Sequence, residues 1–132
     1  MTYQPDWDID LKDGKYGESI VKELLLLDDA EIEVKHDRLA LMTGNVYVET
    51  HCRRRDGWHE SGICTTKAKV WFFVLDADNR ITVSVTTEEL RRQVKRFYPR
   101  NKREEKDGSH PTRGVVVPLA AGLLRKAVRE AA

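Results

Sequence analysis

The chain has 132 residues, 40% hydrophobic and 34% charged, with 23 basic side chains against 22 acidic ones. That length predicts one domain, 1–132, with a real core, and a formal charge of +1 singles out no partner. No apolar run approaches the ~18 residues of a membrane span, the acidic start lacks a signal peptide's pattern, and Cys52 and Cys64 alone make no disulfide scaffold, so a cytoplasmic, reducing setting without a membrane partner is expected.

In chain order, residues 1–12 read as an irregular acidic arm. Gly17 to Leu27 predicts a helix, with Ile20, Val21, Leu24, Leu25 and Leu27 as its apolar stripe and Glu18 near its start. Ala30 to Asp37 alternates: Ile32, Val34 and His36 share the face expected to enter the core, and Glu31, Glu33, Lys35 and Asp37 share the other. Asn45 to Cys52 alternates as well, with Glu49 and Tyr47 opposite Val46 and Val48. Asp56-Gly57 signals a turn, and Trp58 to Thr66 reads as a loop or ragged strand. Ala68 to Leu75 is a continuous apolar run, the mark of a buried central strand, and Ile81 to Val85 a further strand. Thr86-Thr87-Glu88-Glu89 starts a helix that stops before Pro99. Residues 99–113 read as a polar, mobile loop, Gly114 to Val117 as a short strand, and Pro118 to Arg129 as a last helix.

Charge is unevenly placed. Residues 1–35 hold ten acids against four lysines, whereas residues 91–103 hold seven basic side chains and no acid. A second basic cluster is Arg53, Arg54 and Arg55. One surface thus suits an anion, another something cationic.

The pair Glu33 and Lys35, two apart on one strand face, is the strongest local feature. A carboxylate can bind Mg²⁺, which takes oxygen ligands, and a lysine beside it can orient an attacking water. If residues 38–44 close a hairpin, an antiparallel register places Glu33 opposite Glu49 and Lys35 opposite Tyr47. Facing carboxylates repel unless a cation joins them. Glu18 supplies a third carboxylate if the first helix covers that face. Exposed strands also alternate Glu and Lys for solubility alone. His51, Cys52, His59 and Cys64 lack the spacing of a zinc site.

The string Gly17-Glu18, Ile32-Glu33-Val34-Lys35-His36-Asp37, Thr43-Gly44-Asn45-Val46-Tyr47-Val48-Glu49, Ser61-Gly62-Ile63, Thr65-Thr66-Lys67-Ala68 and Trp71 resembles small PD-(D/E)xK nucleases. Within that superfamily it is most similar to Holliday-junction-resolvase-like and phage-encoded endonucleases. The resemblance spans about residues 14–98 and implies an α/β (α+β) fold with an αβββαβ core, a mixed central sheet flanked by helices. It also implies hydrolysis of DNA, branched or otherwise structured, with Mg²⁺ or Mn²⁺, and a homodimer. Glu33 and Lys35 match the E-x-K pair, and Glu18 the helix glutamate of resolvase-like members. The Asp usually found ahead of E-x-K is missing; Glu49 takes its place, or Asp28 or Asp29 does. The expected set is therefore Glu33, Lys35 and Glu49 for catalysis and Glu18, Glu33 and Glu49 for metal. Phosphate contacts are expected from Arg53, Arg54 and Arg55, which continue the Glu49 strand, from Thr65, Thr66 and Lys67, and from Arg92 and Arg96 with Arg91 and Lys95 on the basic helix. Trp58 is either a base-stacking platform or a packing anchor, and Trp71 a core residue. The rival readings are a non-catalytic nucleic-acid-binding or regulatory module on the same fold, and an unrelated protein acting through protein contacts.

Overall fold

A computed structural model describes residues 7–105 and 110–124, with side chains described for 14–98 and 110–124. Strand β4 (Val70–Asp76) forms where the uninterrupted apolar run predicts it. It is the centre of a three-stranded sheet, parallel to β1 (Ile32–His36) and antiparallel to β5 (Ile81–Thr86). Four antiparallel strands make a second sheet, in the order β3 (Gly57–Glu60), β2 (Asn45–Arg54), β7 (Thr112–Pro118), β6 (Lys102–Glu105). The fold is mixed α+β, as expected, with its strands divided between two sheets rather than gathered in one.

That division overturns the expected hairpin. β1 does not pair with β2, so Glu33 is not opposite Glu49, nor Lys35 opposite Tyr47. Glu33 is aligned with Trp71 and Lys35 with Phe73 in the parallel ladder. A strand apolar on both faces gains most from a partner on each edge. Residues 37–69, which include the short helix α2 (Ala40–Thr43), are long enough to carry the crossover that parallel pairing requires. The aligned Trp71 and Phe73 are buried, so Glu33 and Lys35 lie on the core side of this sheet, at its open edge where both stay partly exposed. Val34, expected in the core, is 53% exposed on the opposite face. Lys69 ties the start of β1 to β4, its amide donating to Glu31 O at 2.8 Å and its ammonium pairing with Glu31 at 2.9 Å. The Lys69 side chain holds the Glu31 carboxyl below its ordinary range.

Between the sheets and helix α3 (Thr87–Asn101) lies the core: Val46 and Val48 opposite Val117 and Val115, with Trp71, Phe73, Leu75, Leu90 and Val94. Leu90 and Val94 lie one helical turn apart and so face the same way. The predicted cap is present, Thr86 Oγ1 accepting the Glu89 amide at 3.1 Å. The helix runs past Pro99 instead of stopping before it. The hydrogen bond that proline removes falls in the final turn, where helix ends fray anyway.

Three further expectations change. Helix α1 (Trp7–Leu25) begins inside the segment read as an acidic arm and ends two residues early. Helix growth is cooperative, so Gly14 and Gly17, at about 1 kcal/mol each, do not interrupt a long run. Residues 99–113 are no simple loop, since β6 pairs with β7 there. A charged edge strand held by backbone hydrogen bonds carries no apolar pattern to read. After β7 comes a single short turn of π type, α4 (Leu119–Leu123), in place of the start of a long helix. Residues 1–6 of the arm, 106–109 of the loop and 125–129 of the last helix lie outside the described residues.

Asp76 closes the β4–β5 turn, its Oδ1 accepting the Asn79 amide at 3.1 Å and its Oδ2 the Asn79 side-chain amide at 2.8 Å. These donors, the side chain first, hold the Asp76 carboxyl below the ordinary range. A depressed folded-state pKa adds stability above the unfolded value, about 3.9, and that stability is lost as pH falls through the folded value. Asp76→Asn should therefore lower the urea midpoint at pH 7. Below about pH 3 the gap to wild type should narrow, which midpoints measured at both pH values will check.

Candidate functional site

Where the open edge of β1 meets β2, a cleft of about 420 Å³ is lined by Lys35, Asp37, Tyr47, Glu49, Trp71 and Phe73, among others. Period-2 alternation brings Glu33, Lys35 and Asp37 to one side of β1 and its continuation. The Asp37 amide donates to Val74 O at 3.0 Å and so prolongs the β1–β4 ladder by one step. Its carboxylate Oδ2 accepts the Tyr47 amide at 3.0 Å and links the two sheets. Lys35 Nζ lies 2.9 Å from Glu33 Oε1 and 5.7 Å from the centre of the Trp71 ring. Both members of the pair are substantially exposed, so the contact orients the lysine more than it stabilises the fold.

Glu49 reaches the cleft from β2, half-buried, with its Oε2 accepting the Ser61 hydroxyl at 2.8 Å. Opposite Glu49 stands Gly114. A Cβ there would meet Val48 O at 2.4 Å and the Tyr47 ring at 2.7 Å, so glycine lets that ring lie across β7. The Tyr47 hydroxyl is 2.9 Å from Thr112 Oγ1.

Lys35 and Glu49 thus line the same cleft, although across two sheets and not along one hairpin. Glu33 borders it through its ion pair. Glu18 is exposed on α1, whose Ile20, Val21 and Leu25 are exposed too, so the helix does not bring that carboxylate over the cleft. Asp28 and Asp29 are exposed just ahead of β1 and are not among the cleft residues. Among the described residues no three His, Cys, Asp or Glu side chains are grouped to hold a metal. Asp37 is the cleft residue that sequence reasoning missed, although its spacing from Lys35 carries the signal. Trp71 is in the core as expected and also lines the cleft.

The expected phosphate contacts divide. Arg53, Arg54 and Arg55 line a separate, larger concavity of about 870 Å³ with His110 and Pro111. Arg53 is four residues beyond Glu49, roughly 13 Å along a strand, so the cluster does not sit beside the cleft's carboxylates. At its edge the His59 side chain, 2.6 Å away, holds the Asp56 carboxyl below its usual range. Trp58 lies under the Arg113 guanidinium, 3.9 Å from its ring centre, a packed position with one face already covered. Thr65 and Lys67 are exposed, and Thr66 Oγ1 accepts the Ala68 amide at 3.2 Å. On α3, Arg92 pairs with Glu89, and Arg96 is exposed with its guanidinium 5.2 Å from the Phe97 ring centre. Arg91 is committed elsewhere, donating to Ile63 O and Thr66 O, each at 3.2 Å.

No helix among the described residues is long and apolar enough to cross a membrane. Comparison of the chain with protein-family models, with curated proteins and with solved structures gives no match.

Proposed function

We propose that the cleft is the active site of a divalent-metal-dependent endonuclease of the PD-(D/E)xK kind, hydrolysing phosphodiester bonds in DNA. The observation that carries this reading is the convergence of Lys35, with its Glu33 partner, and Glu49 on one cleft. Mg²⁺ takes oxygen ligands, keeps several waters, and is commonly held by one or two carboxylates together with substrate phosphate. Glu49 and Asp37 line the cleft, and two carboxylates with substrate phosphate and waters suffice for Mg²⁺ or Mn²⁺. Bound there, the ion would neutralise charge developing on the phosphoryl oxygens and acidify a bound water. Lys35 orients the attacking water and opposes the charge of the phosphate. The arginine concavity holds backbone phosphates further along the strand, supplying salt-dependent, sequence-independent affinity. Branched DNA as substrate follows from the resemblance. The apolar stripe exposed on α1 supports a homodimer.

One feature favours the rival, a non-catalytic nucleic-acid-binding module: the Asp usually found ahead of E-x-K is missing from this sequence. Supercoiled plasmid and a synthetic four-way junction, incubated with Mg²⁺, Mn²⁺ or EDTA, separate the two. Cutting that requires metal supports the nuclease. Salt-sensitive junction binding without cutting in either metal supports the binding module.

A further inference from the structure

The contacts of the turn from Ser61 to Thr66 converge on Glu49. Ser61 donates its hydroxyl to Glu49 Oε2 at 2.8 Å and its amide to Thr50 O at 2.9 Å, so it grips β2 by side chain and backbone at adjacent positions. Gly62 follows with φ +54°, in the left-handed region that favours glycine. A Cβ on Gly62 would stand 2.2 Å from Glu49 O and 3.0 Å from Glu49 Cβ. Only a glycine lets the turn press this closely on the residue that carries the carboxylate.

The turn is itself anchored from two sides. Ile63 is buried in the core. Arg91 reaches over from α3 and donates Nε to Ile63 O and Nη2 to Thr66 O. It therefore caps Ile63 O, within the short helical turn Gly62–Cys64, and Thr66 O just beyond it. A glutamate has three side-chain torsions, and a half-buried strand position alone selects no single carboxylate placement. The serine hydroxyl selects one, engaging Oε2 alone.

We propose that Ser61 and Gly62 are positioning residues for Glu49, and that Arg91 acts with them by fixing the turn instead of contacting a phosphate. The inference rests on the reading of the cleft as a metal-dependent nuclease site and adds to it the device that aims one of its carboxylates. Groups that orient metal-binding carboxylates from behind are typically worth about 10–100-fold in metal affinity or activity.

The test compares wild type with Ser61→Ala, Ser61→Thr and Arg91→Gln, measuring Mn²⁺ binding by electron paramagnetic resonance and junction cleavage against Mn²⁺ concentration. Ser61→Ala should weaken Mn²⁺ binding and lower kcat by about tenfold or more, with KM for DNA and the melting temperature near wild type. Ser61→Thr, which keeps the hydroxyl, should recover most of the loss. Arg91→Gln should reproduce it through kcat, whereas a phosphate-contacting arginine would act through KM and salt dependence. Unchanged Mn²⁺ binding and kcat in Ser61→Ala would overturn the proposal. If wild type cuts nothing, the nuclease reading falls separately, and Mn²⁺ binding decides: a tenfold loss in Ser61→Ala supports positioning, while equal binding, or none by either protein, overturns it.

Discussion

Replacing Lys35 with alanine is expected to lower metal-dependent DNA cleavage by about 10²–10⁴-fold, the usual contribution of a positioned proton-transfer group. The fold should tolerate the change. The Lys35 side chain is 45% exposed, and an ion pair this open typically contributes less than about 1 kcal/mol. DNA affinity should fall little, since the arginine concavity lies elsewhere on the molecule. Lys35→Arg should not restore the rate: a guanidinium stays charged and presents a planar fork instead of a compact ammonium. Single-turnover cleavage of the four-way junction, with circular dichroism and junction binding measured on the same preparations, checks each part. Cleavage retained by Lys35→Ala would take this lysine out of the chemistry.

Phe73→Ala should have the largest effect on stability. Phe73 is fully buried, its ring tilted at 36° to that of Trp71 with centres 6.1 Å apart, and it forms part of the cleft wall. Truncating a buried phenylalanine costs about 3–5 kcal/mol, through lost burial and the cavity left behind. Domains of this size are commonly stable by only about 5–15 kcal/mol, so the melting temperature should drop by roughly 10–20 °C. Val34→Ala, on the exposed face of the same sheet, should change stability by no more than about 0.5 kcal/mol. Urea midpoints of the two variants test the contrast. Equal losses would mean that the Val34 face is covered in solution.

These two positions show how much of the site is legible in the chain. That Glu33, Lys35 and Asp37 share a face follows from the period of a strand, which backbone sterics impose within a few residues. Which face enters the core does not. Ile32 and Val34 look like the buried set, yet Val34 is exposed, and the charged residues share the side of the sheet on which the partner strand β4 presents Trp71 and Phe73, their heads still reaching solvent at the cleft. The hairpin that would set Glu33 opposite Glu49 does not form, and Glu49 and Lys35 line one cleft across two sheets instead.

Several local elements were determined by the sequence alone. The apolar run of β4, the Thr86 cap of α3, the turn after Asp76 and the alternation of β1 and β2 depend on neighbouring residues and appear where their chemistry predicts. Tertiary structure alone decided that β1 lies parallel to β4, that β6 pairs with β7, and that Arg91 caps a turn. It also decided that Glu49 and Lys35 line one cleft from two different sheets. Those choices join residues far apart in the chain, and they follow from which pairings bury Trp71, Phe73, Leu90 and the β2 and β7 valines together, a property of the whole core.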